Sequence, residues 1–141
     1  MSQDMNKHTA EATILRPSAL KAYERGGGAR TIPLVSARLG AQSFINGITE
    51  FGPGAQIPWH FHNCEESVML LEGDAVFDIG DEHHTLVPHD TTFIPTGVPH
   101  RFRNVSDTKP MKILWIYGRV DADRTLVDTG ETRLVMAEHL G

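Results

Sequence analysis

Residues 54–73, GAQIPWHFHNCEESVMLLEG, constrain this chain most, because two histidines and a glutamate stand there at a diagnostic spacing. His60 and His62 are separated by one residue, and β-branched and aromatic neighbours favour a strand. On a strand, such a pair points to one side, roughly 6.5–7 Å apart along the backbone. Two imidazoles in this arrangement can converge on one metal ion. Glu66 opens the next apolar run after a short break, so a returning strand would place its carboxylate beside both imidazoles.

A second stretch supplies a fourth candidate ligand. Residues 95–100 read PTGVPH and follow the apolar run Thr91–Ile94. Pro and Gly at this density mark a tight turn between strands. The turn would place His100 at the head of the next strand, facing back across the sheet. Three neutral imidazoles and one carboxylate make a mixed nitrogen and oxygen site for a divalent first-row metal.

Together the two stretches resemble the cupin superfamily, in its small single-domain form. The first cupin motif, G(X)5HXH(X)3,4E(X)6G, is matched without departure from Gly54 to Gly73. The second, G(X)5PXG(X)2H(X)3N, is matched from Pro95 to Asn104, but His89 replaces its opening glycine. Histidine tolerates a positive φ better than most residues, so the departure concerns only the backbone angle of that turn.

The resemblance implies an all-β fold, an antiparallel double-stranded β-helix or jelly-roll barrel with little helix. It also implies that His60, His62, Glu66 and His100 bind one divalent transition metal inside the barrel. Fe(II) and Mn come first for this ion, and Ni, Zn and Cu are the alternatives. Fe(II) would permit O2 chemistry, whereas Mn, Ni or Zn would favour Lewis-acid chemistry.

The length of 141 residues suits one domain, and short apolar runs at regular spacing predict a sandwich or barrel. We expect an N-terminal tail and arm over residues 1–30 and the barrel over residues 31–120. Residues 121–141 are expected to form a C-terminal edge strand or arm. The three consecutive glycines from Gly26 predict a flexible loop over residues 24–30.

A net charge of −5 argues against nucleic acid or an anionic membrane as a partner. No apolar run approaches the roughly 18 residues of a membrane span, and residues 1–13 lack the apolar core of a secretory signal. The single cysteine excludes an intrachain disulfide. We therefore expect a cytoplasmic protein. A homodimer is the family expectation.

Strand parity assigns the residues around the ligands. Trp59 and Phe61 should face outward, toward a second layer or a partner chain, and Arg101 and Arg103 should point away from the metal. Tyr117 is the candidate for proton transfer, although a core tyrosine bonded to the backbone is the alternative. Apolar residues predicted to wall the cavity are Val68, Leu70, Phe77, Phe93 and Phe102.

We do not expect the remaining cysteine and histidine candidates, Cys64, His83, His84 and His89, to bind a metal. Cys64 lies between two candidate ligands, but its turn position predicts a thiol that points outward. His83 and His84 are adjacent and therefore point to opposite sides of a strand. With His89 they are expected at the surface and not in a second metal site.

The leading hypothesis is a metal-dependent enzyme that acts on a small organic acid or an oxygenated aromatic, chelated to the metal. Dioxygenase-type oxidation comes first, and isomerase or lyase chemistry next. A non-catalytic module that binds or senses a small ligand is the alternative, and a storage or structural barrel is the third possibility.

Overall fold

The computed structural model describes residues 10–139, which form two antiparallel sheets of six strands each. In chain order, the strands are β1 Tyr23–Gly26, β2 Ala29–Pro33, β3 Ile45–Phe51, β4 His60–His62, β5 Glu66–Glu72, β6 Ala75–Ile79, β7 Glu82–Leu86, β8 Thr91–Ile94, β9 His100–Asn104, β10 Met111–Tyr117, β11 Asp123–Leu126 and β12 Thr132–Leu134. The first sheet has the order β1-β2-β3-β10-β5-β8, and the second has the order β12-β11-β4-β9-β6-β7. Within residues 10–139, helical structure is limited to three short 3-10 helices, Pro17–Ala19, Ala37–Leu39 and Val135–His139. None of the helices in the described part is long and apolar enough to cross a membrane.

Alternation of buried and half-buried residues along β3, β9 and β10 shows that one face of each sheet turns inward. Apolar side chains from both inward faces form one core, which includes Phe51, Leu70 and Phe102. Antiparallel strands with this alternation pack face to face because each buries only one side. The predicted all-β jelly-roll architecture is confirmed.

The register of the strands carries the candidate ligands to the interior. His60 on β4 lies opposite His100 on β9. In the other sheet, Glu66 on β5 lies opposite Ile94 on β8 and Tyr117 on β10. Since directly opposed residues point to the same side of a sheet, these side chains all face the space between the two sheets.

The same register shows that the prediction for Phe93 was wrong. Ile94 opposes buried Glu66, so the preceding residue on β8 must point to the other face. Phe93 is accordingly 65% exposed, while Ile94 is 1% exposed. Phe93 therefore lies on the outside and does not wall the cavity.

The region around the consecutive glycines is the turn of a hairpin and not the flexible loop predicted from the sequence. β1 and β2 pair antiparallel, and β2 continues into the first sheet beside β3. Gly26, Gly27 and Gly28 all have positive φ, a conformation that glycine adopts without strain. The glycines thus serve a tight turn. Residues 1–9 of the predicted tail lie outside the described residues.

At the other end of the chain, β11 and β12 form a hairpin that joins the second sheet. β11 pairs with β4, the strand of the two candidate histidines, and β12 is the edge strand. The C-terminal segment therefore lies directly beside the candidate site.

Gly73 closes the first motif, and both its backbone and its surroundings require glycine. Its φ is 91°, in the left-handed region, and a Cβ there would lie 2.5 Å from the carbonyl oxygen of Pro110. We expect Gly73→Ala to lower the free energy of unfolding by at least about 2 kcal/mol, from backbone strain and overpacking together. Urea denaturation measures this loss.

Gly80→Ala is the matched control, because Gly80 has a φ of 56° but no atom within 4 Å of the Cβ position. It should lose only the roughly 1–2 kcal/mol of left-handed strain. Equal losses in the two variants would contradict the packing part of the argument.

Candidate metal centre

Three imidazoles meet between the sheets. His60, His62 and His100 are each at most 3% exposed, and one ring nitrogen of each lies within 4.8 Å of the others. β4 presents two of them on one face, as the spacing predicted, and β9 presents the third from the neighbouring strand. Three buried imidazoles at this separation form a cluster that is able to hold a metal ion.

Main-chain carbonyl groups fix the orientation of every ring. The Nδ1 atom of each histidine lies 2.8 Å from a carbonyl oxygen and donates its proton there. For His60, His62 and His100 in turn, these carbonyl groups belong to Pro58, Asp123 and Val98. A proton on Nδ1 leaves the lone pair on Nε2, and this hydrogen-bonding pattern is typical of histidines that bind metals.

Burial keeps two of the imidazoles neutral at physiological pH. It holds the pKa of His60 well below its usual range, and electrostatic interactions with His100 and Arg124 lower it further. Burial also lowers the pKa of His62 to about 4, although the carboxylate of Glu66 acts in the opposite direction. Neutral imidazole is the form that binds metals, so both rings are available at pH 7.

Glu66 brings a carboxylate to the imidazoles. Its Oε1 atom lies 3.0 Å from Nε2 of His100 and 3.4 Å from Nε2 of His62. The Nε2 atom of His62 is buried without a hydrogen-bond partner. A proton between Glu66 and His100 would satisfy that pair alone, whereas a divalent cation would satisfy all the facing lone pairs. The donor set therefore fits such an ion.

A cavity of about 20 Å³ adjoins the imidazoles, enough for roughly one water molecule. It is lined by His60 and Glu66 and by the aromatic rings of Phe102, Trp115 and Tyr117. Most of these lining residues were expected inside from parity. The inner cavity therefore combines polar side chains with apolar and aromatic ones.

A larger outer pocket of about 330 Å³ opens beside this inner cavity. Arg25, Ile57 and Arg124 line both spaces, which places them at the junction between the two. The outer pocket has the volume of a small-molecule site. The shared lining residues place the outer pocket next to the inner cavity.

Tyr117, the residue chosen from the sequence for proton transfer, lies in the inner cavity. Its ring centroid is 4.5 Å from that of His62, and the residue is 4% exposed. Its strand partner is Glu66. The phenol is thus close to the histidine cluster.

Sequence reasoning missed Arg124. This residue is 8% exposed and lies opposite His62 in the pairing of β11 with β4. Only the register of β11 with β4 shows which side chains of β11 face inward. The C-terminal segment was predicted only to be an edge strand or arm, and nothing in its sequence indicated that Arg124 would lie beside the site.

The prediction that Arg101 and Arg103 point away from the metal site is confirmed. Their Nε atoms donate to Oδ2 of Asp78 at 2.7 and 2.6 Å on the outer face of the second sheet. The Arg101 guanidinium also lies 5.1 Å from the ring of Trp59, which is half-buried within the same chain. Trp59 faces outward as expected, and the homodimer stays a prediction.

Cys64 is buried, so the expectation of an outward thiol was wrong. The chain after β10 covers this turn, where the Gly118 amide donates to the Glu65 carbonyl oxygen. Burial raises the pKa of the Cys64 thiol, which keeps it in the protonated form that does not bind metals. The cluster of possible ligands within the described residues does not include it.

His83, His84 and His89 lie outside the cluster. His83 and His84 are exposed and contact carboxylates of Asp78 and Glu82. His89 has a φ of 82°, the positive angle expected where a glycine opens the second motif. Residues 10–137 contain no second cluster of three or more possible metal ligands.

Comparison with known proteins agrees with this geometry. The family model described as Cupin domain matches residues 47–117, half of the chain. The chain is 38% identical over 85 residues to the polyketide synthase CurC of Streptomyces cyaneus, covering 60% of this chain and 54% of CurC. It is 32% identical over 110 residues to protein SchB of Streptomyces halstedii, covering 72% of this chain and 79% of SchB.

The fold also matches a solved structure, the polyketide cyclase RemF from Streptomyces resistomycificus. The TM-score is 0.72 at 23% identity, with 89% of this chain and 86% of that chain covered. The chain spans about half the length of CurC, and the similarity to RemF concerns the fold. On the family match and the relatives together, this chain belongs to the cupin superfamily as a small single-domain cupin.

Proposed function

We propose that this chain is a metal-dependent enzyme that acts on a small oxygenated substrate. The observation that carries the proposal is the convergence of three inward Nε2 atoms and one carboxylate beside a pocket of small-molecule size. The ion would be held by His60, His62, Glu66 and His100. When bound, it would polarise a carbonyl or hydroxyl group of the substrate. Fe(II) and Mn remain the first choices, with Ni, Zn and Cu as alternatives.

The inner cavity admits roughly one water-sized group, so its other residues would position only the reacting oxygen atom of the substrate and exclude water. Phe102 and Trp115 offer apolar surfaces, and the low polarity that they create strengthens every electrostatic interaction inside the cavity. The hydroxyl group of Tyr117 would exchange a proton with the substrate, since this residue lines the same cavity. The chain would thus supply orientation, a dry site and a proton-transfer group.

Proton transfer next to a carbonyl group, as in an isomerisation or cyclisation, is the reaction class that we place first. CurC, a relative at 38% identity, is named a polyketide synthase, and a β-dicarbonyl compound offers two oxygen atoms for chelation. Oxidation by O2, which the sequence placed first, becomes the second class. It is supported by the donor set, because imidazoles and a carboxylate also suit Fe(II).

Elemental analysis of protein purified without an affinity tag shows which metal the chain binds, and turnover assays show which reaction it catalyses. The chain is loaded anaerobically with each metal and assayed against β-dicarbonyl compounds and hydroxylated aromatic acids. Product formed without O2 supports isomerisation or cyclisation, and product formed only with O2 supports oxidation. Tight binding without turnover for every metal would instead support a binding module.

Tyr117→Phe should lower kcat by roughly 100-fold, the effect typical of removing a proton-transfer group. The ring is kept, so metal content and thermal stability should stay close to those of the wild type. Steady-state kinetics with a substrate identified in the turnover assay measures the effect. Tyr23→Phe, at the other tyrosine of the chain, is the control and should leave kcat unchanged. Full activity in Tyr117→Phe would remove the hydroxyl from the mechanism.

A further inference from the structure

The outward face of the first sheet carries a continuous row of apolar side chains. Directly opposed residues share one side of a sheet, so the register defines this apolar row across four strands: Ile32 on β2, Ile48 on β3, Leu114 on β10 and Met69 on β5. The outward side of an antiparallel sheet is normally polar, because it meets water. A row of this kind on the surface therefore marks an interaction site.

The outward face of the second sheet has the usual, mainly polar character. Its central strands carry a network of ion pairs, and the edge strand β7 adds further polar side chains; these residues are Asp78, Arg101, Arg103, His83 and Thr85. The two outward faces thus differ in polarity. Of the two, the first sheet offers the surface that gains most from being covered.

A row of alternating charges borders the apolar row on the first sheet. Across the sheet, this charged row reads Arg30, Glu50, Lys112 and Glu72. Its neighbours pair within the chain: Glu50 lies 2.6 Å from Arg30 and 3.6 Å from Lys112, and Lys112 lies 3.7 Å from Glu72. The order of signs is positive, negative, positive, negative. The row is therefore complementary to its own reverse.

A two-fold axis between β3 and β10, directed along the strands, would set the charged row against its own reverse. Arg30 would then face Glu72 of the second copy, and Glu50 would face Lys112. Each contact occurs twice, because a two-fold interface is isologous. All four opposed pairs would join unlike charges.

The same axis brings the apolar rows together, with Ile48 facing Leu114 of the second copy. A two-fold axis directed along the rows would instead set the charged row against the row that contains Ile116 and Phe93. That arrangement buries charges against apolar groups, which is costly. The charge pattern therefore favours the axis along the strands.

We propose that a second copy of this chain packs face to face on the outward face of the first sheet, about a two-fold axis that runs along the strands between β3 and β10. The predicted homodimer thereby receives an interface, and it is not the face of Trp59 and Phe61 that parity suggested. The inference goes beyond the proposed function and does not depend on it. No residue of either row lines the inner cavity or the outer pocket.

Sedimentation equilibrium of the full chain over roughly 1–100 µM tests the association. We expect the wild type to reach twice the mass of one chain. Leu114→Lys should weaken the dimer at least about 100-fold, because it buries two unpaired charges beside the axis. Phe61→Lys is the matched control, since Phe61 is also outward and half-buried but lies on the second sheet. It should dimerise like the wild type.

Charge reversal tests the orientation. Glu50→Lys and Lys112→Glu each set like charges against one another twice, so each should weaken the dimer at least about tenfold. An equimolar mixture of the two variants should recover the dimer. In the mixed dimer, the new lysine faces the new glutamate, while the native Lys112 of one chain faces the native Glu50 of the other.

A wild type that keeps the mass of one chain at about 100 µM would overturn the inference, as would wild-type dimerisation of Leu114→Lys. Loss of the dimer in Phe61→Lys alone would move the interface to the second sheet. Circular dichroism shows whether Leu114→Lys folds; if it does not, the charge variants decide, because Glu50 and Lys112 are partly exposed. A mixture that stays monomeric would contradict the proposed axis.

Discussion

Replacing His100 with alanine is expected to weaken metal binding by at least about 100-fold. Removing a group that merely orients a metal ligand already costs about 10–100-fold, and His100 would be a ligand itself. Its Nε2 atom faces Glu66 at 3.0 Å, and its ring centroid lies 4.4 Å from that of His60. Competition with a chromophoric chelator measures the affinity, and elemental analysis after dialysis measures the stoichiometry.

His84→Ala is the matched control for this variant. His84 is exposed and contacts Glu82 at 2.8 Å, away from the cluster. Its replacement should change neither affinity nor stoichiometry. If His100→Ala retained one equivalent of metal at wild-type affinity, His100 would not belong to the ligand set, and the proposal that it joins His60, His62 and Glu66 would fail.

The sequence predicted the histidine cluster well because the spacing itself encodes geometry. His60 and His62 must share a face on any strand, and the turn before His100 leaves that residue at the start of a strand. The resemblance to cupins added the remaining information, that the two stretches meet. Local spacing alone does not determine which strands pair.

What the sequence did not predict depends on pairing between distant strands. Phe93 was predicted to wall the cavity, but it pairs with Ser67, the residue after inward-facing Glu66, and therefore points outward. Cys64 was placed outside because it lies in a turn, but the chain after β10 covers that turn. Arg124 gave no signal because only β4, more than 60 residues earlier, gives β11 its inward face.

The proposed function distributes its parts over both sheets. His60, His62 and His100 come from the second sheet, whereas Glu66 and Tyr117 come from the first. Core residues such as Phe51 and Leu70 are fully buried between the same two sheets. A packed core of this kind holds side chains in fixed rotamers, which is the preorganisation that a metal site requires. The stability of the fold and the geometry of the centre are therefore coupled.

The second large effect is expected on the outer face, at Asp78. This carboxylate is fully buried and accepts four charge-assisted hydrogen bonds, two from Arg103 and one each from Arg101 and His83. The side chain of Arg101 is 23% exposed and that of Arg103 is 28% exposed. They would regain water if the carboxylate were lost, which places the cost at the lower end of the usual range for a broken buried pair.

Asp78→Asn should therefore lower the free energy of unfolding by about 3 kcal/mol at pH 7. The hydrogen bonds of Arg103, followed by those of Arg101 and His83, hold the pKa of Asp78 well below its usual range. The folded state thus binds this proton less readily than the unfolded state. The contribution of the carboxylate is complete above about pH 4 and disappears as the pH falls further.

Urea denaturation of wild type and Asp78→Asn at several pH values measures both effects. The two proteins should differ by the full amount from pH 7 to about pH 5, and the difference should shrink progressively as the pH falls below about 4. Asp81→Asn, in the exposed turn after the same strand, should stay within about 0.5 kcal/mol of the wild type. A difference below about 1 kcal/mol at pH 7, or one that persists undiminished at low pH, would show that the carboxylate charge does not stabilise this face. Because Arg101 and Arg103 flank inward residues of β9, a loosened outer face would also loosen the strand that presents His100.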